Sequence, residues 1–166
     1  SVLEQRLKLL DNALKNASLA ISEVYLNNDA ASRQRIITNT LLALYEQDPG
    51  ESLDIFCLKL TSGEIIDVSS PFFVSQPLQQ ALFRSSHMAA PASINYCSST
   101  RTLLLSRQEE IISLKTGQII GTLFAASVVN DNLPLFRELT EKTTAEEVRL
   151  LWENQLILGQ HKEPSA

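Results

Sequence analysis

The sequence predicts an α+β fold: long N-terminal helices followed by a five-stranded antiparallel sheet. Three observations carry this. Residues 2–27 repeat apolar side chains at gaps of three and four, the period of an amphipathic helix. From Leu53 onward the apolar runs are short and split by turn residues, as strands are. The chain of 166 residues is 44% hydrophobic and 20% charged, ordinary usage for a domain with a packed core.

Leu3, Leu7, Leu10, Leu14, Ala17, Ile21 and Val24 alternate gaps of four and three, a heptad stripe. Leu9, Ala13, Ala20 and Tyr25 widen it. Two readings follow. The helix is a stalk that pairs with a second copy, with Leu3, Leu7, Leu10, Leu14, Ala17 and Ile21 at the dimer interface, or it packs on its own domain; the two are compatible if its start pairs and its end packs. Asn27-Asn28-Asp29 ends the helix with turn-forming residues. A second helix is expected over residues 30–47, with Ile36, Ile37, Thr40, Leu41 and Leu44 on its apolar face, and Asp48-Pro49-Gly50 stops it.

Residues 53–60 and 65–69 read as a hairpin turning at Thr61-Ser62-Gly63-Glu64. A short helix is expected at Leu78–Phe83, and irregular chain at Arg84–Ser93. Strands then follow at 94–97, 102–114 and 119–129, the last two joined by Lys115-Thr116-Gly117-Gln118. Gly121 inside the last strand points to a bulge or a close backbone approach. Asn130-Asp131-Asn132 reads as the cap of a helix at 133–140, with Pro134 in its first turn. Residues 147–152 and 155–158 form a further expected hairpin, which holds Trp152, a core anchor or a contact point for a partner. Five antiparallel strands with helical chain between the second and third make a PAS-like topology. The expected organisation is a helical stalk at 1–50, a PAS-like domain at 51–142, and a terminal hairpin and tail at 143–166.

Composition excludes several functions. Acidic residues outnumber basic ones 19 to 14, and the basic ones form no run, so nucleic acid is not an expected partner. No apolar run reaches the roughly 20 residues that span a bilayer. The abrupt helical start reads as a segment excised from a longer protein. Cys57 and Cys97 are the only cysteines, in no CxxC, and His87 and His161 the only histidines, so no zinc site is expected. The two cysteines read either as buried thiols or as one disulfide between strands. No GxSxG, phosphate loop or HExxH occurs, and Ser85-Ser86-His87 alone supplies neither an oriented base nor an oxyanion site. Neither enzymatic activity nor a cofactor is expected.

The segment Thr116–Phe136, TGQIIGTLFAASVVNDNLPLF, resembles the closing hairpin of the Cache (PDC) family of extracytoplasmic sensor domains. Thr102-Leu103-Leu104-Leu105-Ser106 is similar to that family's adjoining strand, and Leu53–Ser70 to its opening hairpin. The long N-terminal helix fits as well, and the resemblance covers roughly residues 1–140. More remotely, Val128–Leu133 is similar to periplasmic domains of hybrid sensor histidine kinases, in which a second Cache-like module follows; Val148–Gly159 is then either the opening hairpin of such a module or an extra strand pair that leads back to the membrane.

The resemblance implies an extracytoplasmic signal-sensing domain of a bacterial inner-membrane receptor, located in the periplasm between flanking transmembrane helices. A small molecule or a periplasmic binding protein would be its partner, and a histidine kinase its output. It places a ligand site between the sheet and the chain before the third strand, where Arg84, His87, Tyr96, Ser98 and Arg101 fall. Arginine suits a carboxylate or phosphate, and tyrosine offers a flat face and a hydroxyl. One departure stands out: Ala125–Val129 holds no acid before Asp131, so an amino-acid ligand gripped by a carboxylate there is disfavoured. The rival reading is a ligand-free PAS-like module, periplasmic or cytosolic, that only dimerises or docks a protein.

Overall fold

The computed structural model describes residues 2–47, 53–69, 75–86, 94–130, 149–152 and 155–159. Two helices open the chain, α1 at Val2–Asn27 and α2 at Ala30–Gln47. The break between them is built by side chains. Asn28 donates its amide to the Val24 carbonyl at 3.1 Å, closing the end of α1. Asp29 caps α2, its carboxylate accepting from the Ser32 N–H at 3.1 Å and the Ser32 hydroxyl at 2.6 Å. Those bonds favour the anion and hold the Asp29 carboxyl below its usual range. Arg33 reaches back across the break to the carbonyls of Asn28 and Tyr25, its guanidinium 4.7 Å from the Tyr25 ring centre.

Strands β1 (Ile55–Leu60), β2 (Ile65–Ser69), β3 (Ile94–Cys97), β4 (Thr102–Ile112) and β5 (Ile119–Val128) form one antiparallel sheet in the order β2-β1-β5-β4-β3. Helix α3 (Ser75–Ser86) lies between β2 and β3 in sequence. The side-chain period of two sends alternate residues to two separate cores. Phe56, Leu58, Leu103, Leu105, Leu123 and Ala125 pack beneath α1 and α2. Ile55, Cys57, Leu104, Phe124 and Ala126 pack beneath α3. The sheet is therefore covered on both sides, which explains why β1 and β5 are nearly continuous apolar runs rather than alternating ones.

Helix α3 is longer than the sequence suggested. Leu78, Ala81 and Leu82 bury one face on the sheet, which extends the helix through Arg84, where irregular chain was expected. Pro77 sits in the first turn, where its missing N–H is harmless. Strand β4 ends at Ile112, two residues early, because Ser113 opens the turn and donates its N–H to the Gln118 carbonyl at 2.8 Å. Gly117 supplies the positive φ of 71° that the turn requires. Both readings of Gly121 hold: the register shifts at Ile111/Ile112 beside it, and a Cβ there would sit 2.8 Å from the Lys59 carbonyl oxygen.

The middle of the heptad stripe packs on the chain's own domain. Leu10, Leu14, Ala17 and Ile21 are at most 1% exposed within the single chain, packed with α2 and the sheet. Leu3 and Leu7 are half-buried against the same core. Ser22 reinforces the packing, donating to the Ile112 carbonyl at 3.0 Å. Residues of α1, α2 and the sheet share one core.

Cys57 and Cys97 are both free and buried. They stand on β1 and β3, three strand spacings apart in the sheet order. That is about 14 Å, twice the reach of a disulfide. Burial, with the Asp67 carboxylate nearby, pushes the Cys57 thiol up to about 12. Strands β6 (Arg149–Trp152) and β7 (Gln155–Gly159) pair antiparallel, as expected of the last hairpin. The helix expected at 133–140 lies outside the described residues. Among the described residues, no helix is long and apolar enough to cross a membrane.

Candidate ligand-binding site

The ligand residues expected from the sequence fall on two faces of the sheet and in one turn. Tyr96 and Cys97 are neighbours on β3, so they point to opposite sides. Tyr96 packs against the core under α1 and α2, whereas Cys97 belongs to the core under α3. Arg84 is exposed in the last turn of α3. Helix α3 crosses the sheet, with Pro77 beside β3 and Phe83 over β5. The Cys97 thiol is 3.6 Å from the Pro77 carbonyl, and the rings of Phe83 and Phe124 meet edge-on at 5.3 Å. Arg84 therefore lies at the end of α3 away from Cys97. His87 lies outside the described residues. Strand alternation and the run of α3 thus place Tyr96 and Arg84 on opposite sides of the sheet.

That turn does bring Ser98 and Arg101 together, and its geometry is unusual. Arg101 has φ of 52°, in the left-handed region. For a residue with a Cβ this costs about 1–2 kcal/mol, and such strain persists only where surrounding contacts impose it. Here Asn130 imposes it. Its side chain accepts from the Leu103 N–H at 2.7 Å and donates to the Arg101 carbonyl at 2.9 Å. The Arg101 N–H reaches the Ser98 carbonyl at 3.4 Å, and Thr102 donates to the Thr100 carbonyl at 3.2 Å. The side chains of Ser98 and Arg101 are left exposed on a fixed turn.

The sequence reading missed two groups of residues. On the α3 face, Asn95 donates its amide to the Ser106 hydroxyl, and Ser106 is buried. The signal was available: on β4 the period of two places Leu104, Ser106, Gln108 and Glu110 on one face, polar after its first member. The second group is the pair of clamps at the end of β5. Asn130, read as a helix cap, ties β5 to β4, while the Asp54 carboxylate accepts from the Val128 N–H at 2.7 Å. No local pattern announces either clamp, because the partners are 27 and 74 residues away.

Known proteins fit this architecture. The chain is similar to the periplasmic domain of Vibrio cholerae LuxQ, with a TM-score of 0.64 at 18% identity over 98% of this chain and 77% of that one. A second structure of the LuxQ periplasmic domain aligns at TM-score 0.58 and 16% identity, over 95% of this chain and 78% of that one. The ligand-binding domain of the Campylobacter jejuni chemoreceptor Tlp3, in complex with L-norvaline, aligns at TM-score 0.50 and 15% identity, over 100% and 75%. At these identities the likeness is one of fold. No curated protein matches the chain. The family described as "LuxQ, periplasmic" matches residues 1–165. Helices packed on one face of a β2-β1-β5-β4-β3 sheet and a family match along nearly the whole chain agree with one another. The chain belongs to the LuxQ periplasmic family and is an extracytoplasmic sensing domain of an inner-membrane receptor.

Proposed function

We propose that the domain is the non-catalytic input of a sensor histidine kinase and that it takes a small ligand at the turn between β3 and β4. The strained Arg101 carries the ligand reading. A positive φ at a non-glycine residue, imposed by Asn130, presents an exposed guanidinium from a fixed backbone. Ser98 offers a hydroxyl in the same turn. A guanidinium favours a carboxylate or phosphate, which it grips through two parallel hydrogen bonds. Binding would alter the packing of α1, which in the receptor leads towards the membrane-spanning helices and the kinase.

A homodimer through α1 belongs to the same proposal, now on its outward row. Leu19 and Leu26 are 61% and 50% exposed, and they lie opposite the buried stripe.

The test is a thermal-shift screen of the domain against organic acids, phosphates, amines, amino acids and sugars. A ligand present at about a hundredfold over its Kd stabilises the fold by about 2.7 kcal/mol, a shift of several degrees. Arg101→Gly relieves the backbone strain while removing the guanidinium, so it should keep the unliganded Tm and abolish the shift. A flat screen would sink the small-molecule half of the proposal and transfer the input to a periplasmic binding protein. A ligand shift that survives Arg101→Gly would sink the assignment to this turn.

A further inference from the structure

A cleft of about 200 Å³ opens on the other side of the sheet, between α1, α2 and the chain leading into β1. Ala13 and Asn16 of α1, Leu44 and Gln47 of α2, and Leu53 and Phe56 line it. The floor is hydrocarbon: Phe56 is 0% exposed and Leu53 is 2% exposed, so both are held in place by the core beneath. The gap has a local cause. Along α1 the neighbouring core positions are Leu10 and Leu14, but Ala13 presents a single methyl where a larger side chain would close the space. The rim carries two primary amides, Asn16 and Gln47, each able to donate and to accept. Among the described lining residues none is charged.

We infer that this cleft is a second ligand site, taking a small neutral molecule with a branched aliphatic body and one amide-like or hydroxyl head. Size follows from volume. At about 30 Å³ for each water displaced, the space holds on the order of seven non-hydrogen atoms. Charge follows from the lining. An ion would lose hydration with no opposite charge among these residues to replace it, whereas a neutral head exchanges water for the two amides. The other groove along α1, between Asp11, Leu14, Lys15, Gln108 and Glu109, is lined by charges of both signs and offers no such apolar floor. Position gives the site its consequence. Two lining residues come from each helix, so an occupant wedges α1 against α2 and sets their spacing. Only that consequence depends on the sensing role proposed above; the binding itself does not.

The test uses isovaleramide as the probe molecule and isovalerate as its charged counterpart, followed by amide chemical shifts of the folded domain. Isovaleramide should produce saturable shifts centred on Ala13, Asn16, Leu44, Gln47 and Phe56. A ligand of this size in a half-open site gives a Kd on the order of millimolar. Isovalerate should bind at least about tenfold more weakly. Ala13→Leu fills the space and should abolish the shifts. Asn16→Ala, at an exposed helix position that tolerates alanine, should weaken binding about three- to tenfold. Absence of saturable shifts up to about 50 mM, well above the expected Kd, would overturn the site. So would equal binding of the anion, or shifts unchanged in both variants. Arg101→Gly should leave this binding intact, so a failure of the turn site and a failure of this cleft are separate results.

Discussion

Replacing Leu14 with alanine tests the assignment of the heptad stripe to the chain's own core. Leu14 is 1% exposed and sits among α1, α2 and the sheet. The substitution removes three carbons, worth about 0.8 kcal/mol each in transfer free energy, or roughly 2.4 kcal/mol. The residual cavity adds to this, because the flanking Leu10 and Ile21 are fixed by the same core and collapse only in part, so the loss should be about 3 kcal/mol. For a chain of this size that lowers Tm by roughly 6–12 °C. The assay is thermal unfolding followed by circular dichroism at about 5 μM and about 500 μM protein, since a stripe that holds a dimer makes Tm rise with concentration. The expected result is the same Tm depression at both concentrations. Leu114→Ala serves as the control: at 59% exposed it should change stability by no more than about 0.5 kcal/mol. A concentration-dependent penalty at Leu14, or a larger loss at Leu114 than at Leu14, would refute the reasoning.

Three further outcomes follow from single contacts. Gly121→Ala places a Cβ 2.8 Å from the Lys59 carbonyl oxygen, a backbone atom that cannot rotate away, so β5 must shift from β1 at a cost of about 1–3 kcal/mol; urea unfolding reads the loss, and an unchanged midpoint would contradict the close approach. Asn130→Ala leaves the Leu103 N–H and the Arg101 carbonyl without their partner and should cost about 1–3 kcal/mol, with faster hydrogen exchange at Leu103 as its local signature. Cys57 has its folded pKa raised to about 12 from the ordinary 9.0. Between those values the unfolded chain has released a proton that the folded chain keeps, so stability is full below about pH 9 and falls as pH rises towards 12. Urea unfolding at pH 8 and pH 10.5 should show this alkaline loss, and Cys57→Ala should reduce it.

Local patterns in the sequence determined much of this molecule. The stripe from Leu3 to Val24 required a helix with one apolar face, and Asn28-Asp29 required it to end there, because the capping chemistry acts within a few residues. Thr61–Glu64 and Lys115–Gln118 set both hairpins, since Gly63 and Gly117 alone meet the positive φ of those turns at no steric cost. The resemblance to extracytoplasmic sensor domains rested on the same short segments. What covers the stripe was a different matter. A heptad row states that one face must leave water but not whether a sister helix or the chain's own sheet removes it, and the two burials satisfy the same hydrophobic pattern. Only the packing of α1 on β4 and β5 decided it.

The functional residues divide in the same way. Ser98 and Arg101 share one turn because they are near neighbours in sequence. Arg84 and Tyr96 were not brought beside them, since the face of β3 and the course of α3 depend on register against distant strands. Asn130, the cleft between Ala13 and Phe56, and the isolation of Cys57 from Cys97 all arise from chain segments far apart in sequence. Sequence periodicity specifies which side chains leave water, and tertiary packing alone specifies which of them meet.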